Sequence, residues 1–98
     1  MSKSVVRPVS EPELADDELM AFPWSVILFN DDIHAFEEVV QQVQKATGCS
    51  FSSAYEITLE AHHKGQAVCY SGELDACKKV SRILEEIHLL TEIVREAG

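Results

Sequence analysis

The chain has 98 residues and 46% apolar content, which bounds it to one small domain with a modest core. Its net charge of −9 argues against nucleic acid, whose phosphates repel such a surface, and suits neutral or cationic partners. No apolar run reaches the roughly 18 residues of a membrane helix and no signal-type segment opens the chain, so a cytoplasmic location and no membrane partner are expected.

Residues 1–22 carry Pro8, Pro12 and the acidic cluster Glu11, Glu13, Asp16, Asp17 and Glu18, with few large apolar residues. That composition predicts a flexible acidic tail, followed by a folded domain over residues 23–98. Trp24 to Phe29 is aromatic, β-branched or aliphatic apart from Ser25, and Pro23 stands where a strand can start. A strand apolar on both faces predicts a central position, covered above and below. Asn30, Asp31 and Asp32 then change the character within one residue: they are turn and helix-cap formers.

From Ala35, apolar residues at Phe36, Val39, Val40, Val43 and Ala46 keep helical spacing. Asp32 or His34 is placed near the cap, Glu37 and Glu38 suit the positive end, and Gly48 ends the helix. A second helix is expected from Ser52 or Ser53, because Ser53-Ala54-Tyr55-Glu56 is a capping-box pattern. Ala54, Ile57 and Ala61 form its inner stripe, and Lys64-Gly65 stops it. Gln66 to Tyr70 reads as a short strand with a turn at Ser71-Gly72. A third helix runs from Glu73 to about His88 and buries Leu74, Cys77, Val80, Leu84 and Ile87; Leu90 to Val94 is the last strand. Three strands and three segregated helices predict a compact, two-layer α+β domain with an antiparallel sheet, in the order strand-helix-helix-strand-helix-strand. Cys49, Cys69 and Cys77 are odd in number and lack paired spacing, so no disulfide framework is expected, and Cys69 and Cys77 read as small core residues.

An enzyme would need more than the chain offers. Asp31, Asp32 and His62 could form an acid–base group, but there is no phosphate loop, nucleophile elbow or candidate oxyanion site. Metal binding would draw on Asp31, His34, His62 and His63, but adjacent histidines on a helix point apart. No catalytic residue, metal or cofactor is therefore expected. A third chemistry is amine capture. An ammonium has three donors, and Asn30 Oδ1, the Asp31 carboxylate and a neutral His62 nitrogen could accept them. The plainer reading is that Asn30 and Asp32 cap a helix and His62 ends one.

Val26-Ile27-Leu28-Phe29-Asn30-Asp31-Asp32, joined to His62 in Glu60-Ala61-His62-His63-Lys64-Gly65-Gln66-Ala67-Val68-Cys69, resembles the ClpS family of Clp protease adaptors. The resemblance spans Trp24 to Val94. It implies a ClpS-like fold, which the C-terminal domain of the ribosomal stalk protein also approaches. It implies that Asn30, Asp31 and His62 hold the α-amine of a substrate whose bulky hydrophobic first residue is a degradation signal. By position, the side-chain pocket falls to Leu28, His34, Phe36, Val39, Thr58, Ala61 and Leu89. Partners would be such substrates and the N-terminal domain of a Clp-type AAA+ unfoldase, met through Glu73, Lys78 and Lys79, with the adaptor a monomer. The tail would be the segment the unfoldase engages.

The chain departs from the family's usual Thr-Pro-Met at His34-Ala35-Phe36, and a pocket Met falls on Thr58. These changes leave the amine residues intact and bear on side-chain specificity. An adaptor with altered or lost specificity, and a stalk-like interaction domain, are the alternatives.

Overall fold

The structure is a computed structural model and describes residues 24–96. The expected tail over residues 1–22 lies outside the described residues. The element order read from the sequence is the order observed: β1 (Trp24–Phe29), α1 (Phe36–Thr47), α2 (Phe51–Lys64), β2 (Gln66–Gly72), α3 (Leu74–Glu85) and β3 (Thr91–Arg95).

β1 is the middle strand, with β2 and β3 antiparallel on either side. Its central place follows from its composition, but the covering differs from expectation. All three helices pack into one cluster with Val26, Leu28, Ala67 and Cys69 on a single face of the sheet. Ser25 and Ile27 lie outside that cluster and are nevertheless buried. Ile27 sits between Val68 and Glu92 in register, so neighbouring strands shield it rather than a second layer. Ser25 contacts the Ser71 hydroxyl at 2.9 Å and donates to the Glu96 carboxylate, which satisfies a buried polar group.

β2 is longer than predicted. The register slips between Val26 and Ile27, which leaves Cys69 without an opposite residue, and pairing then continues through Ser71 and Gly72. Burial pushes the Cys69 thiol up to about 12, so it carries no thiolate at neutral pH and behaves as a core residue.

The helix ends show which local signals operate. α1 and α2 close on Gly48 and Gly65, both left-handed, whose N–H groups return to Gln44 and Ala61 carbonyls at 2.7 and 2.9 Å. α3 stops at Glu85, three residues earlier than predicted. His88 takes the left-handed conformation, with φ 68°, and its N–H reaches the Glu85 carbonyl while that of Leu89 reaches Leu84. This is a Schellman turn with histidine in the usual glycine place. Gln42, buried on α1, donates to the Ile83 carbonyl at 2.6 Å, which also accepts the Glu86 N–H at 3.1 Å, and so ties α1 to the end of α3.

α2 begins before the predicted capping box. The cap is Ser50, whose hydroxyl accepts the Ser53 N–H at 3.1 Å. Ser53 is thus the third residue of the helix rather than its cap. Ser50→Ala is expected to lower stability by about 0.5–2 kcal/mol, whereas Ser53→Ala stays within about 0.5 kcal/mol. Urea unfolding of the two variants checks this, and the reverse order would return the cap to Ser53.

Candidate functional site

The polar turn after β1 and the end of α2 meet because the sheet forces them together. Phe29 pairs with Gln66 in the ladder, and the Asn30 N–H then bonds the Gly65 carbonyl at 2.9 Å. Gly65 is the cap of α2, and His62 lies one turn inside it. Residues separated by some thirty positions are thus brought to one corner by strand pairing.

A cavity of about 250 Å³ opens at this corner. Asn30, Asp31, Asp32, His34 and His62 line its polar side, and Leu28, Phe29, Phe36, Val39, Thr58 and Ala61 line the rest. Leu89 does not line it; it is packed in the core cluster. Phe29 is a lining residue that the sequence reading omitted, since its position at a strand end gave it no separate signal. Glu73, Lys78 and Lys79 stand exposed at and after the start of α3, a helix that contributes nothing to the cavity.

The turn is organised by Asp31. One carboxylate oxygen, Oδ2, accepts the N–H groups of Ile33 at 3.1 Å and His34 at 2.5 Å, and meets the His34 ring Nδ1 at 2.7 Å. Neither Asp32 nor His34 caps α1; the cap position is Ala35, which makes no side-chain cap bond. The carboxylate that matters sits four residues earlier and braces the turn instead. His34, expected as a wall of the side-chain pocket, is placed against Asp31 on the polar side. Both side chains are largely covered, at 15% and 14% exposure. With Oδ2 occupied, Oδ1 is the oxygen left for a ligand. Asn30 is arranged similarly: its Nδ2 donates to Asp32 at 3.3 Å, which leaves its carbonyl oxygen as an acceptor.

Partial burial raises the Asp31 carboxyl, but the bonds from the His34 and Ile33 backbone and from the His34 ring outweigh it and hold the group below its ordinary value. A depressed carboxyl stabilises the fold above the ordinary carboxylate range and loses that contribution as pH falls through its native value. Stability from this turn is therefore expected to be complete above about pH 4 and to fade below it. Urea unfolding at pH 3 and pH 5 should differ less in Asp31→Asn than in the parent, and an unchanged difference would remove Asp31 as a cause.

Thr58 is polar only in formula. Its hydroxyl donates to the Ala54 carbonyl of its own helix at 2.8 Å, so its methyl group is what remains for the cavity. The site is a pocket with apolar walls and a corner of acceptors. It can take a ligand with a cationic donor head and an apolar side chain. Among the described residues, no three His, Cys, Asp or Glu side chains are grouped to hold a metal ion.

Residues 21–90 match the family described as ATP-dependent Clp protease adaptor protein ClpS. The chain belongs to the ClpS family. Its relatives include the ATP-dependent Clp protease adapter protein ClpS of Corynebacterium efficiens, 29% identical over the full length of both chains. That of Mycolicibacterium paratuberculosis is 30% identical over 76% of this chain and 70% of the relative. Among solved structures, Agrobacterium tumefaciens ClpS2 bound to L-phenylalaninamide superposes with a TM-score of 0.70 at 22% identity, covering 74% of this chain and 95% of that one. This likeness supports the fold: an α+β domain whose three-stranded sheet has the order β2-β1-β3. Membership in the family makes the chain an adaptor of the Clp protease and sets aside the stalk-like alternative. No helix among the described residues is long and apolar enough to cross a membrane.

Proposed function

We propose that this adaptor binds proteins through a bulky hydrophobic N-terminal residue and delivers them, without catalysis of its own, to a Clp-type AAA+ unfoldase. The observation that carries this is the cavity, which puts the acceptors of Asn30, Asp31 and His62 beside the apolar walls of Leu28, Phe36, Val39, Thr58 and Ala61. An N-terminal residue is the one place in a protein where an ammonium stands on the carbon that bears the side chain. A corner of acceptors joined to an apolar pocket reads both at once. The ClpS2 of Agrobacterium tumefaciens, with its bound L-phenylalaninamide, is a relative of the same fold holding a ligand of that chemistry.

His62 acts here as an acceptor, so its ring has to be neutral when the amine is held. Glu73, Lys78 and Lys79 meet the N-terminal domain of the unfoldase, residues 1–22 supply the segment the unfoldase engages, and the adaptor works as a cytoplasmic monomer.

The test is a panel of short peptides that differ only in their first residue, Leu, Phe, Tyr, Trp or Ala, titrated against the protein. Binding of the four bulky residues over Ala is the expected result, and no preference would refute the reading. Phe36 is stiffer than Met and Thr58 shorter, so Trp should be the least favoured of the four. The double variant Phe36→Met, Thr58→Met is expected to narrow the spread between Trp and Leu. An identical ranking in parent and variant would show that these positions do not set the choice.

A further inference from the structure

The pocket does not end at its wall. Phe36, which lines the cavity, meets the Tyr55 ring edge-on with centroids 5.0 Å apart, and Tyr55 in turn meets Phe51 at 6.0 Å. Phe51 and Tyr55 are 59% and 43% exposed on the outer face of α2. Three rings thus form a continuous track from inside the pocket to the start of the helix. Neither exposed ring is needed to fill the core, and an exposed aromatic patch joined to a binding pocket is the usual mark of a contact surface.

We infer that this track is the subsite for the third and fifth residues of the bound N-terminal segment, and that it favours apolar or aromatic side chains there. The inference rests on the reading of the pocket as an N-terminal residue site. The direction follows from the anchor: the amine is held at the end of α2 near His62, so the rest of the peptide leads away from that corner. The spacing agrees. At a helical rise of about 1.5 Å per residue, Tyr55 lies roughly 5–9 Å, and Phe51 roughly 10–15 Å, from the turn carrying Thr58 and Ala61. In an extended peptide, alternate side chains share a face and recur about every 6.6 Å. With the first side chain in the pocket, the third and fifth fall at the two rings. The second and fourth point away from the helix and are left unread.

The test compares Phe-Ala-Leu-Ala-Leu-Ala amide with Phe-Ala-Ser-Ala-Ser-Ala amide and with phenylalaninamide, each titrated against the parent and the double variant Phe51→Ser, Tyr55→Ser. The parent is expected to bind the leucine peptide about two- to tenfold more tightly than the serine peptide. The double variant should bind both peptides alike, while phenylalaninamide binds parent and variant equally. A leucine advantage that survives in the double variant, or is absent in the parent, overturns the track while leaving the pocket reading intact. If phenylalaninamide binds neither protein, the pocket reading fails and the track falls with it. Sedimentation of the two proteins covers the other occupant: self-association of the parent that is lost in the variant would make the rings an interface between copies of this chain, and would also overturn the proposal.

Discussion

Acetylating the α-amine of a peptide that begins with phenylalanine is expected to lower its affinity by about 10- to 100-fold or more. The side chain is unchanged, so the apolar contacts with Leu28, Val39 and Ala61 remain available. What changes is the head. Acetylation removes the positive charge and two of three donors. Asn30 Oδ1, Asp31 Oδ1 and His62 would then face a neutral amide, with Asp31 Oδ1 covered by the ligand and left without a charged donor. A charge-assisted hydrogen bond contributes about 1.5–3 kcal/mol, and leaving its charged partner unsatisfied costs at least as much. Isothermal titration of the free and acetylated peptides reads the difference directly. Asp31→Asn is the matching change on the protein. Its amide oxygen can still accept from the Ile33 and His34 N–H groups, so the turn keeps its brace while the charge is lost. Free-amine binding should weaken in Asp31→Asn and the acetylated peptide should notice little. Equal binding of both peptides by the parent would mean the amine is not what the corner holds.

The second large effect is on stability. Leu84→Ala is expected to destabilise the domain by about 2–5 kcal/mol. Leu84 is fully buried in the last turn of α3, inside the cluster that α1, α2 and the sheet share. Truncation there removes contacts with several elements at once, and the cavity left can close only if the helix end shifts. That end is held by the bond from Gln42 to the Ile83 carbonyl and by the turn through His88, so little relaxation is available. For a domain of this size such a loss is a large part of the whole. Thermal melting should show a drop of many degrees, whereas peptide affinity measured well below the midpoint should hold, because Leu84 does not line the cavity. A melting point within a degree or two of the parent would contradict the packing described.

Much of this architecture was legible in the sequence because its signals are redundant. The apolar run from Trp24 to Phe29 and the helical stripe from Phe36 to Val43 each repeat their message over several residues. Gly48 and Gly65 were readable as stops for the same reason that they are left-handed in the fold: few other residues tolerate that conformation. The errors fall where two local patterns compete. Ser50 and Ser53 both precede helical residues, and the capping-box spacing to Glu56 favoured the wrong one. His88 gave no warning of a left-handed turn, because any residue other than glycine is an uncommon occupant of that conformation. The Asp31–His34 pair was hidden for a different reason. Its residues are three apart in a turn without a repeating geometry, so only the folded backbone shows that the ring meets the carboxylate while it lines the polar side of the cavity. The exposed rings of Phe51 and Tyr55 likewise look like ordinary helix residues until Phe36 is seen beside them.

The strand order has a bearing on how the protein is made. Among the described elements β1 emerges from the ribosome first, yet it needs a partner on each edge, and its second partner is β3, whose last residue is Arg95. The central strand must therefore wait, one edge open, until nearly the entire described chain has been synthesised. Its apolar residues are the ones that a waiting strand would offer to other nascent chains. Folding of this domain is in that sense a single late event: the corner that holds Asn30 beside Gly65 can form with β2, but the sheet that steadies it is completed only by the final strand.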